Sequence, residues 1–173
     1  MTNLLKITAA AAALVVAATP AAAQQVSPDS QARATARIVK PLQLYWEQDL
    51  DLGSIILTGP GAWTGAVVSI SRDGVFSCTD TNVTCTGTPT EAQYRVTGTN
   101  NQDVTVNASS TIDLVHGVDA TQVLTMAVDN PGVINLSNSG VAGYTFGLGG
   151  AITVNADTLD GTYTGMFDVT VEY

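Results

Sequence analysis

The chain is poor in the side chains that do chemistry. Its 173 residues include one histidine, His116, and two cysteines, Cys78 and Cys85. A closed zinc site takes four ligands from Cys, His and carboxylates, and nucleophilic catalysis through an imidazole has only His116 to draw on. Basic residues are as scarce, six Lys and Arg against fifteen Asp and Glu, for a formal charge of −9. Such a surface repels nucleic acid and anionic lipid, and it lacks the basic stripe that phosphate contacts need. The carboxylates are scattered without a block of like charge, which reads as solubility. Beyond residue 23 no apolar run reaches the roughly 20 residues of a membrane span, and none repeats at helical spacing.

What is present begins with a segment built for export. One positive charge at Lys6 precedes an apolar, Ala-rich run of about 13 residues from Ile7 to Thr19, and Pro20-Ala-Ala-Ala23 supplies small residues before Gln24. This order predicts a cleaved secretory signal over residues 1–23 in preference to a buried N-terminal helix. The predicted location is therefore exported: periplasm, cell surface or extracellular space, with no membrane span in the mature chain. Removing the leader takes away Lys6 and leaves five basic residues against fifteen acidic ones, a formal charge of −10. The 150 residues from Gln24 suit one domain burying about 70% of its unfolded surface.

Cys78 and Cys85 are separated by six residues. In an exported chain an even count at short spacing reads as a disulfide closing one loop. A metal pair and a redox couple are the alternatives. The first is short of ligands, and the second would usually have a two-residue spacing.

Residues 24–31 are polar and hold Pro28, so they read as a loose extension, followed by a single domain over 32–173. From Ala32 the chain is a succession of short alternating runs, rich in Val and Thr and punctuated by Gly, Asn, Asp and Pro. Ala34, Ala36 and Ile38 share one face of an expected first strand over Ala32–Val39. Asp73-Gly74 marks a hairpin. Ala92, Tyr94 and Val96 alternate, then Val104, Val106 and Ala108, then Leu124, Met126 and Val128. Gly149-Gly150 reads as a tight turn between Tyr144–Leu148 and Ala151–Ala156. Tyr163, Phe167, Val169, Val171 and Tyr173 fall on one parity of a long final strand. Some ten to twelve short strands with no helical segment predict an all-β antiparallel sandwich.

Ala36-Arg-Ile-Val-Lys-Pro-Leu42, Asp49-Leu-Asp-Leu-Gly-Ser-Ile55, Tyr94-Arg-Val-Thr-Gly98, Gly149-Gly-Ala-Ile-Thr-Val154 and Gly161-Thr-Tyr-Thr-Gly-Met-Phe-Asp-Val-Thr-Val-Glu-Tyr173 carry a resemblance. With these pieces the chain resembles a bacterial domain-of-unknown-function family, number 4402, of exported, pilin-like proteins of Gram-negative bacteria. The resemblance implies an immunoglobulin-like sandwich akin to fimbrial and spore-coat-type subunits. In chaperone–usher pilins a neighbouring subunit supplies a missing strand, and a periplasmic chaperone pairs with the subunit before assembly. Carried over, this makes Phe167, Val169, Val171 and Tyr173 the strand-pairing edge and residues 24–40 the candidate donor. The competing reading, preferred on residue size, pairs Ala32–Val39 within its own chain.

No residue set reads as catalytic, cofactor-binding or metal-binding. Asp113 lies three residues from His116, on the opposite face of a strand, so His116 is expected at the surface or in a turn. Asp157 and Asp160 with Gly161 read as a plain turn in preference to a calcium loop. Gly147-Leu-Gly-Gly150 has no following Lys and no helix for a phosphate loop. Trp63, in a Gly- and Pro-rich loop, is expected to be more exposed than Trp46 and is the one candidate for stacking on a ligand. The leading expectation is a non-enzymatic structural or cell-surface subunit that associates by strand pairing. The alternative is a monomeric extracellular binding module for a glycan or other ligand.

Overall fold

The computed structural model describes residues 32–137 and 142–173, so the expected leader and the extension over 24–31 lie outside the described residues. The chain divides into two compact units, Met1–Arg37 and Ile38–Tyr173. Of the first, residues 32–37 are exposed and carry no regular secondary structure.

The second unit is all-β, with no helix among the described residues. Its strands are β1 (Gln43–Gln48), β2 (Ser54–Leu57), β3 (Ala66–Ile70), β4 (Phe76–Cys78), β5 (Val83–Thr86), β6 (Ala92–Thr97) and β7 (Asp103–Ala108). They continue with β8 (Thr111–His116), β9 (Val123–Asp129), β10 (Val133–Asn135), β11 (Tyr144–Val154), β12 (Tyr163–Thr164) and β13 (Val169–Glu172). All pairings are antiparallel. Eight strands form a curled half-barrel in the order β1-β6-β11-β9-β8-β12, with β3 on β11 and β4 on β3. A three-stranded sheet runs β10-β7-β13, and β2 pairs with β5.

The eleven-residue β11 organises both cores. Its first half pairs with β6, Tyr144 opposite Val96 through Leu148 opposite Ala92. Its second half pairs with β3 and with β9. Because side chains alternate, the even positions Phe146, Leu148, Ile152 and Val154 share one buried face. The first two join a cluster with Tyr94, Val96, Val104 and Leu136. The second two join Val68, Ile70 and Met126 in another. In the first cluster Tyr94 and Phe146 stack with ring centroids 5.8 Å apart.

The expected turn at Gly149-Gly150 is therefore an unbroken strand. Glycine is needed there because another backbone crosses close by: a Cβ on Gly147 or Gly149 would collide with the carbonyl oxygens of Arg72 or Ile70, and one on Gly150 with the Met126 sulfur. The expected first strand over Ala32–Val39 also fails to form. Residues 32–41 have no ladder, Ile38 is 92% exposed, and the first strand begins at Gln43. Three alanines bury too little apolar surface to hold a strand on a core. The Asp73-Gly74 hairpin forms between β3 and β4, with Gly74 at φ 78°.

The expected long final strand is broken in two. β12 pairs with β8 and β13 with β7, and Met166 between them is 89% exposed. The parity survives the break: Phe167, Val169 and Val171 are half-buried against the first core, with Phe167 also touching the second, while Asp168, Thr170 and Glu172 face solvent.

Candidate functional site

An open groove of about 1490 Å³ runs beside the start of β13. Its floor is the concave face of the half-barrel, where Ile112 and Leu114 of β8, Leu124 and Met126 of β9, and Ile152 and Val154 of β11 lie on inward parity. Ile112, Leu114 and Leu124 are only half-buried. One wall is residues 48–57, which include β2, and the other is residues 158–169. Sites for drug-sized ligands hold about 300–1,000 Å³, so this volume suits a longer occupant such as an extended chain.

Each wall is tied down by residues distant from it in sequence. Cys78 and Cys85 form a disulfide with Cα atoms 6.3 Å apart. It links β4 at the margin of the half-barrel to β5, and β5 carries β2 through four register pairs from Ser54–Thr86 to Leu57–Val83. The bridge expected as a loop staple thus joins two sheets and anchors a groove wall.

His116 anchors the other wall, and it is buried at 5% exposure, which overturns the expected surface position. Its Nδ1 accepts the backbone N–H groups of Asp119 at 2.9 Å and Val118 at 3.3 Å. Its Nε2 lies 3.0 Å from the carbonyl oxygen of Asp160, so these partners assign the neutral Nε2–H tautomer. Tyr163 meets the ring edge-on at 5.0 Å. Gly161, at φ 146°, lies against the imidazole where any Cβ would strike Nε2. Asp113 sits on the opposite face of β8, bonded to the Thr125 hydroxyl at 3.1 Å. Hydrogen bonds from the Thr121 side chain and backbone hold the Asp119 carboxyl below its ordinary value.

The mouth of the groove is aromatic and acidic. Trp46 of β1 lines it and is 62% exposed, with Tyr94 its register partner on β6. Burial, and then the Asp49 carboxylate, push the Tyr94 phenol above its ordinary value. Asp49, Asp51, Asp160 and Asp168 also line the groove, all exposed. Asp157 and Asp160 lie in the connection after β11, and no group of three or more His, Cys, Asp and Glu among the described residues is placed to hold a metal ion. The order of exposure of the tryptophans is the reverse of that expected. Trp63 is half-buried against the second core and donates its indole N–H to the Gly59 carbonyl at 3.2 Å, so it fills a gap under its loop.

The four expected edge residues are not one open ladder. Val169 and Val171 belong to β13, which pairs on one side with β7 and lies at the margin of its sheet. Phe167 lines the groove. Tyr173 is 43% exposed and bonded through its hydroxyl. The groove was invisible in the sequence because its lining comes from separate elements that only the pairing order brings together. The alternation of Ile112 with Leu114 and of Leu124 with Met126 was its one legible signal.

The profile of a protein family described as domain of unknown function (DUF4402) matches residues 42–173, and the chain belongs to that family. No curated protein and no solved structure is matched.

Proposed function

We propose that this member of the family is an exported, non-enzymatic structural or cell-surface subunit, a pilin-like, immunoglobulin-like sandwich that associates with other chains by strand pairing. One observation carries the reading: an apolar groove, too large for a small-molecule site, lies open beside the marginal strand β13. An extended strand from another chain would cover Ile112, Leu114 and Leu124 and add main-chain hydrogen bonds. The disulfide fits an oxidising compartment.

The test is electron microscopy of the protein purified after export, together with gold labelling of the native cell surface. Filaments or a coat containing the chain are expected, and Leu114→Arg, which sets a charge in the groove, should abolish them while leaving the melting temperature within a few degrees. A wild-type protein that stays monomeric and is never found in an assembly overturns the proposal.

A second reading, a binding module for an extracellular glycan, draws on Trp46, exposed at the groove mouth beside Asp49. Loss of glycan-array binding in Trp46→Ala, with wild-type protein monomeric, would favour it.

A further inference from the structure

The buried ring of His116 makes three hydrogen bonds that are all satisfied only while it is uncharged. Nδ1 accepts the N–H groups of Asp119 at 2.9 Å and Val118 at 3.3 Å, and Nε2–H donates to the Asp160 carbonyl at 3.0 Å. A proton added at Nδ1 turns that acceptor into a donor facing two other donors, in a place too buried for water to step in. To find an acceptor for Nδ1–H the ring must swing outward, and it then gives up the Asp160 carbonyl as well.

The ionisable groups around the ring do not remove this conflict. On β8 itself Asp113 lies on the opposite face, bonded to Thr125. From the β8–β9 turn comes the Asp119 carboxylate, which accepts the Thr121 N–H at 3.0 Å and hydroxyl at 2.7 Å. The connection after β11 carries Asp157 and Asp160, both exposed. From β12 comes the Tyr163 phenol, which donates to the Leu159 carbonyl at 2.9 Å. β9 has no ionisable side chain before Asp129, and no Lys or Arg occurs in residues 111–129 or 155–173. The carboxylates favour a charged ring, but they still attract it after it has swung into water, so they do little to keep it in place.

We infer that His116 is a pH-sensitive latch on the groove wall, closed while the imidazole is neutral and opened in acid by a proton at Nδ1. An imidazole in water takes up that proton at about pH 6.5. The released ring binds a proton that the latched ring excludes, so the hold on the wall is present at neutral pH and fades as pH falls. Opening is local, because the Gly117 N–H still donates to the Thr162 carbonyl at 2.9 Å and β12 stays paired with β8. What comes loose is residues 159–161, of which Leu159 and Asp160 line the groove. Resting on the strand-pairing reading above, the groove grips its occupant at neutral pH and loosens that grip in acid.

NMR of the isolated wild-type chain at about pH 7.5 and about pH 5 tests the latch without a partner or a variant. The His116 ring nitrogens should report the Nε2–H tautomer at the higher pH and the doubly protonated ring at the lower. Protection factors for the Val118 and Asp119 amides, corrected for the intrinsic pH dependence of exchange, should fall about tenfold, as for one lost hydrogen bond, while β6 is unchanged. Backbone order parameters over residues 159–161 should drop from about 0.85 to below about 0.6 with the same midpoint. In His116→Asn, whose amide oxygen takes no proton in this range, the Val118 and Asp119 protection and the order parameters should be the same at both pH values. Asp119→Asn should still show the acid loosening, which separates the ring from that carboxylate.

Unchanged protection and order parameters at about pH 5, or the same acid loosening in His116→Asn, overturns the inference. Sedimentation velocity then reads the consequence: wild-type association should weaken about tenfold over this range, and that of His116→Asn should not change with pH. Wild-type association that is indifferent to pH while the latch opens overturns its hold on the occupant. If the chain associates at no pH, the strand-pairing reading falls and the NMR result still decides the latch.

Discussion

The Tyr173 hydroxyl donates a hydrogen bond to the carbonyl oxygen of Lys40 at 2.6 Å and accepts one from the backbone N–H of Thr99 at 2.8 Å. The Lys40 N–H in turn donates to the Thr99 hydroxyl at 2.6 Å. Three segments distant in sequence meet at one phenol. Tyr173→Phe removes the hydroxyl from both partners and should cost about 1 kcal/mol by urea denaturation. Amide exchange at Lys40 should also quicken, because the backbone there loses one of its two ties.

His116 acts as a latch between β8 and the wall after β11. His116→Ala leaves the Val118 and Asp119 N–H groups without their acceptor and the Asp160 carbonyl without its donor. The expected loss is about 2–3 kcal/mol in the unfolding free energy. Amide exchange should quicken over residues 158–164 before it does so in β6.

The disulfide closes an eight-residue ring, for which loop-closure entropy gives about 2.5 kcal/mol. Cys78→Ser/Cys85→Ser should lower stability by up to that amount. The loosening should appear in β2 as well as in the ring, since β2 is held to the half-barrel through β5. Hydrogen exchange at Ile55 and Ile56, compared with and without reductant, checks both parts.

Gly147→Ala should destabilise by about 1–3 kcal/mol, because the new methyl group meets the Arg72 carbonyl and both backbones must shift. A change at Gly132, where nothing lies within 4 Å of the added atom, controls for crowding, its remaining cost arising from φ 70°. Chemical denaturation of the two variants separates the effects.

Alternation was legible where a strand has one face on a core. Ala92, Tyr94 and Val96, or Val104 and Val106, are buried in the expected parity. The Asp73-Gly74 turn and the cysteine bridge were legible because each is a local constraint. Local sequence misled where a distant backbone decides the outcome. Gly149-Gly150 has the composition of a turn, yet its glycines answer to Ile70 and Met126. His116 looked like a turn residue because its partners Val118, Asp119 and Asp160 are backbone groups that leave no side-chain pattern. Trp63 and Trp46 exchanged roles because a Gly- and Pro-rich loop folds back on the second core, whereas β1 sits at a sheet margin.

The placement of β11 has a cost during synthesis. β3 and β6 are complete by Thr97, yet both wait for a neighbour whose final residue is Val154. At about 5–20 residues per second that delay amounts to several seconds in which apolar strands stay uncovered. Such late, long-range closure slows folding and invites wrong pairings. A nascent chain of this design therefore gains from a holding factor that masks β3 and β6 until the central ladder arrives.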